Sequence, residues 1–255
     1  MVLQTVGNIC GLCVGPTGDI FLTEDDTHEV RVYTSNGKLL DWWGKEGTKE
    51  GEFFFPGYVG ILENEVYVCD QLNHRIQVFT PKGTFLRVIG QEGSKEGELF
   101  YPQGIAFAQG NVFVADTYNS RIQVFTPHGK VVRTWGSFGD KAGELNEPWG
   151  LAISFNEVFV VDTENHRVQV FSLDGKFLRM WDTKMRCEQD ILIRQDQIYV
   201  SDAQDSKIHC FNKNGRLLTS TNEEPFTCSM AEGTKGQFYK VSQSSLTACQ
   251  FHNVY

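Results

Sequence analysis

The chain has 255 residues, of which 40% are hydrophobic and 22% charged, and its net charge is −9. A chain of this length buries roughly 70–75% of its unfolded surface and needs neither disulfides nor metal to fold, and its composition is that of a globular protein. The acidic balance argues against a general nucleic-acid binder, no apolar run approaches the roughly 18 residues of a membrane span, and the opening MVLQTVGNICGLCVG lacks the basic start and apolar centre of a signal peptide.

In chain order, the first segment is VLQTVG (2–7), which matches FLRVIG (85–90) further along. Cys10 and Cys13 follow, the first two of seven cysteines that also include Cys69, Cys187, Cys210, Cys228 and Cys249. An odd number, widely scattered, fits free thiols in a reducing compartment and a cytoplasmic location. On a strand, the odd spacing of Cys10 and Cys13 sends their side chains to opposite faces. No second pair stands near to complete a tetrahedral zinc site. Small buried thiols are expected.

A repeat then governs the chain. CDQLNHRIQVF (69–79), ADTYNSRIQVF (115–125) and VDTENHRVQVF (161–171) align without a gap, and their aspartates Asp70, Asp116 and Asp162 recur every 46 residues. TEDDTHEVRVY (23–33), SDAQDSKIHCF (201–211) and KVSQSSLTACQ (240–250) are looser copies, which makes six units. A full unit begins with a glycine-rich linker such as GQEGSKEGELFYP (90–102), then a short apolar run, GIAFA (104–108). An alternating run ending in Asp (111–116), a four-residue loop, a third strand (121–125), a glycine turn and a fourth strand (130–135) complete it. Period-2 alternation without helical stripes, four strands to a unit, predicts an all-β, six-bladed β-propeller occupying 1–255 as one domain. The last unit has three strands, expected at 226–231, 237–241 and 246–251. Segment 2–7 is expected to supply its outer strand, closing the ring and covering an exposed edge.

Within the repeat, Asp70/Arg75, Asp116/Arg121 and Asp162/Arg167 flank the four-residue loop and are expected to pair across a hairpin mouth, with Asn73, Asn119 and Asn165 folding the loop. Recurrence around a ring makes these structural residues. Trp43, Trp135 and Trp181 share a fourth-strand position with Ile89 and read as packing, as do the linker residues Phe53 and Leu99. The first strands, which line a propeller's channel, offer no histidine and one carboxylate, Asp190. His28, His74 and His166 occupy one loop position on separate blades, too far apart for one metal ion, and read as surface histidines. No P-loop, G-x-S-x-G or H-E-x-x-H motif is present. The expectation is a protein that is not an enzyme and holds no metal or cofactor.

The unit P-x-G-φ-A … V-x-V-A-D-T-x-N-x-R-φ-Q-V-F-x-x-x-G resembles the NHL repeat, closely in blades two to four, fairly in blade five and loosely in blades one and six. That resemblance implies six blades. The family includes RNA-binding and substrate-recruiting domains of the TRIM-NHL type, here without RING, B-box or coiled-coil parts, as well as sensors and a few lyase or hydrolase relatives. Fold is thereby implied more firmly than function.

Linkers and hairpin mouths share one face and gather most of the 32 acidic residues but a minority of the 23 basic ones. Lys38, Lys82, Lys130, Lys176, Lys213 and Arg216 lie at the opposite turns. Single-stranded RNA needs a basic groove beside stacking aromatics, and the acidic face has the wrong sign. Its aromatics, Phe55, Tyr58, Tyr101 and Trp149, stand with Gln103 at equivalent linker ends beside the channel mouth. Blade one's mouth, with Asp25 and Asp26, is the most acidic. Aromatic anchors within an acidic rim suit a basic or extended protein segment. The expected function is a protein-interaction platform, with RNA binding or service as a subunit or substrate-recruiting module as alternatives.

Overall fold

The computed structural model describes residues 2–4, 7–185, 188–221, 229–234, 236–242 and 245–249. They form six four-stranded antiparallel sheets. The inner strands are Ile9–Val14, Pro56–Leu62, Pro102–Ala108, Pro148–Ser154, Glu188–Arg194 and Ser229–Glu232. Each touches the inner strand of the next blade, and the sixth touches the first, so the ring is complete. The chain is an all-β, six-bladed propeller.

Blades two to five run inner to outer in sequence order. In blade six, Ser229–Glu232, Phe238–Ser242 and Ser245–Cys249 come from the end of the chain, and Val2–Gln4 lies antiparallel beside the last of these, Leu3 opposite Leu246. Residues 5–6, 226–228 and 250–251 of the expected strands lie outside the described residues.

Blades pack face to face, so the second and third strands are buried on both sides. Val112 and Val114 join Tyr67 and Cys69 of blade two, whereas Phe113 and Ala115 join Val158 and Val160 of blade four. Each buried valine or phenylalanine among them contributes about 1.5–3 kcal/mol by leaving water. Trp43, Trp135 and Trp181 also pack between blades. Each lies over a turn glycine of the next blade, Gly83, Gly175 or Gly215, where a Cβ would stand 2.3–2.7 Å from the indole. Those turns take positive φ as well, so two constraints select glycine.

The repeated polar residues fasten the linker to the blade. In blade three, Asp116 lies opposite Arg121 in register and is fully buried. Its carboxylate accepts from Arg121 Nε (2.6 Å), Asn119 Nδ2 (3.0 Å), Gln123 Nε2 (3.0 Å) and the Phe100 amide (2.7 Å). Arg121 goes on to donate to the linker carbonyls of Ser94, Lys95 and Glu98. Asp70 with Arg75 and Asp162 with Arg167 repeat the arrangement at 2.8 and 2.6 Å. Burial pushes the Asp70 and Asp116 carboxyls up, against the pull of these donors. The expected cross-strand pairs are thus the centres of larger buried networks that reach the linker. The asparagines donate to the aspartate and to a linker carbonyl, Gly47, Gly93 or Gly139.

Blade one departs from this pattern. Glu24 replaces the aspartate and Glu29 the arginine, and Arg31, two residues along the same strand, bonds both, at 3.0 and 2.7 Å. Two histidines also differ from expectation. His28 is buried, and the Nδ1 atoms of His28 and His74 accept the amide N–H of Phe55 (3.2 Å) and Tyr101 (3.1 Å) in the next linker. They join blades, where the sequence suggests surface positions, because the four-residue loop turns its last residue towards the neighbouring blade.

Candidate binding site at the channel mouth

The three glycine-rich linkers, leading into blades two, three and four, each end in a residue of left-handed conformation just before a proline: Phe55 (φ 56°), Tyr101 (φ 60°) and Glu147 (φ 50°). Such φ values are uncommon for bulky residues and carry strain. His28 and His74 hold the first two in place. The aromatic rings are thereby turned to the channel mouth instead of into the blade.

They wall a cavity of about 340 Å³, completed by Trp149, Tyr58, Gln71, Gln103 and Gln189, with Asn8, Ile9, Cys10 and Asp25 on the blade-one side. Of the seven residues expected to bind a partner, Phe55, Tyr58, Tyr101, Trp149, Gln103 and Asp25 meet here, and Asp26 does not. Asp26 is exposed and accepts the Asn8 amide at 2.8 Å. Phe55 is 37% exposed, and Tyr101 and Trp149 are half-buried. Tyr58 and Gln103 form the floor: both are buried, Tyr58 donating to the Gln189 carbonyl at 2.9 Å and Gln103 accepting from the Gln71 amide. Tyr58 is thus a support and not a free anchor.

Among the described residues, Asp25 is the one charged member of this lining. Cys10 Sγ donates to its Oδ2 at 3.1 Å, while Oδ1 is buried without a hydrogen-bond partner among those residues. A buried carboxylate oxygen facing a cavity favours a donor from outside. Burial, with Tyr118, Cys10 and Asp25 nearby, pushes the Tyr101 phenol up, so it stays a neutral donor.

Beyond the cavity the rim changes around the ring. Tyr101 stacks on Tyr118 (4.8 Å, 17°), and Phe100 meets both Tyr118 and His74. Phe54 and Phe55 pack with His28 on the preceding linker. Blade four carries Asn146, Glu147 and Glu164 at the matching positions, and burial with Glu164 beside it pushes the Glu147 carboxyl up. Below the mouth, the channel is lined by apolar residues such as Leu12, Ile105, Leu151 and Met230 around Asp190. Asp190 accepts from Met230 N (2.6 Å), Ile191 N (2.8 Å) and Ser229 Oγ (3.1 Å), and burial pushes its carboxyl up to about 6. Among the described residues, no three His, Cys, Asp or Glu side chains gather closely enough for a metal ion. No helix there is long and apolar enough to cross a membrane.

Gln71, Gln189, Asn8, Phe100 and Tyr118 join the site without having stood out in the sequence, and Cys10, read there as a small buried thiol, joins it too. Gln71 does carry a signal there: the residue after each blade's acid varies (Asp25, Gln71, Thr117, Thr163, Ala203) while the acid before it recurs. Gln189 and Cys10 occupy the matching inner-strand position to Gln103 and Trp149, which becomes visible once strand register is known.

Residues 101–125 and 145–171 match the family model described as NHL repeat. No curated protein matches the chain in sequence. Among solved structures, the chain is similar to virginiamycin B lyase from Staphylococcus aureus (14% identity, 95% of this chain and 81% of that one, TM-score 0.71). It is also similar to a gluconolactonase from Xanthomonas campestris (12%, 96% and 88%, TM-score 0.76) and to a chain of a nidogen/laminin complex (15%, 84% and 80%, TM-score 0.69). At these identities the likeness concerns the fold, which serves lyase, lactonase and complex-forming proteins alike.

Proposed function

We propose that this NHL-repeat propeller is a non-enzymatic platform whose channel mouth takes up a basic side chain of an extended protein segment. The observation that carries this reading is the mouth cavity. Aromatic walls are held at strained φ by the neighbouring blade, and the charge among them is Asp25, with an oxygen buried and unbonded. A lysine or arginine would lay its stem on Tyr101, Phe55 and Trp149 and bring its charged end to Asp25. The acidic linkers around the mouth favour approach of a basic partner. Among the described residues no lysine or arginine lines the cavity, which disfavours a nucleic-acid backbone as occupant. A role as a subunit or substrate-recruiting module agrees with the same surface, the partner being what such an assembly would dock.

The test is affinity capture from cell extract with the wild type, a Trp149→Ala/Tyr101→Ala variant and Asp25→Asn, analysing protein and RNA separately. A protein partner, re-measured in purified form, is expected to bind the double variant at least about tenfold more weakly, a loss of about 1.4 kcal/mol or more. RNA recovered equally with all three would refute the reading, as would a partner insensitive to them.

A further inference from the structure

On the face opposite the mouth, the outer strands of blades two, three and four each carry an arginine that reaches the next blade. Arg87 Nε donates to the Pro127 carbonyl (2.7 Å), its Nη1 bonds Glu65 (2.9 Å), and its guanidinium lies 5.9 Å from the Tyr67 ring centre. Arg179 donates to the Lys213 carbonyl (3.1 Å), grips Glu157 with both terminal nitrogens (2.8 and 2.6 Å), and lies 5.6 Å from the Phe159 ring centre. Arg133 bonds the Leu173 carbonyl (2.7 Å) and Asp174 (2.6 Å). In blades two and four the arginine thus has three fixed partners: a carboxylate, a ring and a carbonyl of the next blade's turn.

Blade one keeps the partners and lacks the arginine. Asp19, Phe21 and Pro81 stand one repeat before Glu65, Tyr67 and Pro127, and Asp41 stands where Arg87 belongs. The result is a cavity of about 510 Å³ between blades one and two, lined by Asp19, Phe21, Asp41, Pro81 and Lys82 among others. Neither aspartate forms an ion pair among the described residues: Asp19 accepts from the Thr17 hydroxyl (2.7 Å) and Asp41 from the Trp42 amide (2.9 Å). Lys82 lines the cavity too, so two carboxylates share it with one cation.

We propose that this cavity is a socket for an arginine side chain of a partner protein, occupying the place that Arg87 and Arg179 fill in their own blades. Asp19 and Asp41 receive the forked guanidinium, the Pro81 carbonyl accepts a further N–H, and the face of Phe21 supports the cation. The planar fork is what distinguishes arginine from lysine here, since a carboxylate and a carbonyl set apart are both met by one guanidinium. Leu40, 49% exposed beside the socket, offers apolar contact to the residues flanking that arginine.

The test is a titration of ¹⁵N-labelled protein with Nα-acetyl-arginine N-methylamide, and with its lysine counterpart, to about 20 mM. Saturable shifts confined to the amides of Gly18, Asp19, Asn64 and Lys82 are expected with the arginine probe, the lysine probe binding about tenfold more weakly. Asp41→Arg should fill the socket from within, abolishing those shifts and raising the melting temperature by a few degrees. Asp41→Asn, which preserves shape, should bind about fivefold more weakly. Absence of saturable shifts, equal response to both probes, or unchanged affinity in Asp41→Asn would overturn the proposal. Should Asp41→Arg fail to fold, the Asn variant decides it.

Discussion

Blades two to four and blade one are built on one pattern and use it differently. In the regular blades, the aspartate and arginine of the hairpin secure the linker on one face, and an outer-strand arginine secures the next blade on the other. Blade one pairs its hairpin acids with Arg31 instead and has Asp41 in place of the outer-strand arginine. Asp25, at the position of Gln71 and Thr117, and Asp41, at that of Arg87, each border a cavity. Positions that hold the ring together recur, and positions released from that duty are where the molecule has room for something else.

The contrast is sharpest in the buried networks. Asp116→Ala would leave Arg121 without its carboxylate and the Phe100 amide without its acceptor, and a loss of about 3–5 kcal/mol is expected in chemical denaturation. A loss below about 1 kcal/mol would mean that the network is ornamental to stability.

A smaller effect is expected from Asp190, the carboxylate that joins blades five and six inside the channel. Its folded carboxyl, at about 6, holds a proton more tightly than the unfolded one. The native state therefore binds more protons between about pH 4 and 6, and stability falls as pH rises through that window, then levels off. The decline amounts to at most about 3 kcal/mol. Asp190→Asn removes this slope, so the difference between the two stability curves should change between about pH 4 and 6 and be flat above; parallel curves would show that the carboxyl does not titrate there.

Ring closure comes next. Removing residues 1–7 takes away the strand beside Ser245–Cys249 and bares an edge. The melting temperature should drop by about 5 °C and light scattering should rise; an unchanged melt would show that the ring holds without that strand. Smallest of all, Asp25→Ala should alter stability by no more than about 0.5 kcal/mol, because Asp25 belongs to no linker network. A loss comparable to that of Asp116→Ala would remove the distinction between the two kinds of blade.

Much of this architecture is legible in the order of the residues. Asp70, Asp116 and Asp162 at a constant interval, the alternating strands and the turn glycines identify a propeller, because local geometry repeats where the same side chains recur. The packing role of Trp43, Trp135 and Trp181 is likewise readable from their shared position with Ile89. The gathering of Phe55, Tyr101 and Trp149 follows from their equivalent places in the linker.

Other features have no local signature. That Arg31 replaces the missing hairpin arginine depends on strand register, which places it beside Glu24. That His28 and His74 hold the next linker, that Tyr58 is floor and not anchor, and that Phe55 and Tyr101 are strained depend on how neighbouring blades meet. Fold, blade number and the residues that hold each blade follow from the chain alone, since they rest on periodic contacts within a unit. The two cavities exist only in the folded ring, because each lies between blades whose residues are far apart in the chain, and what is missing from a contact appears only when both of its sides are in place.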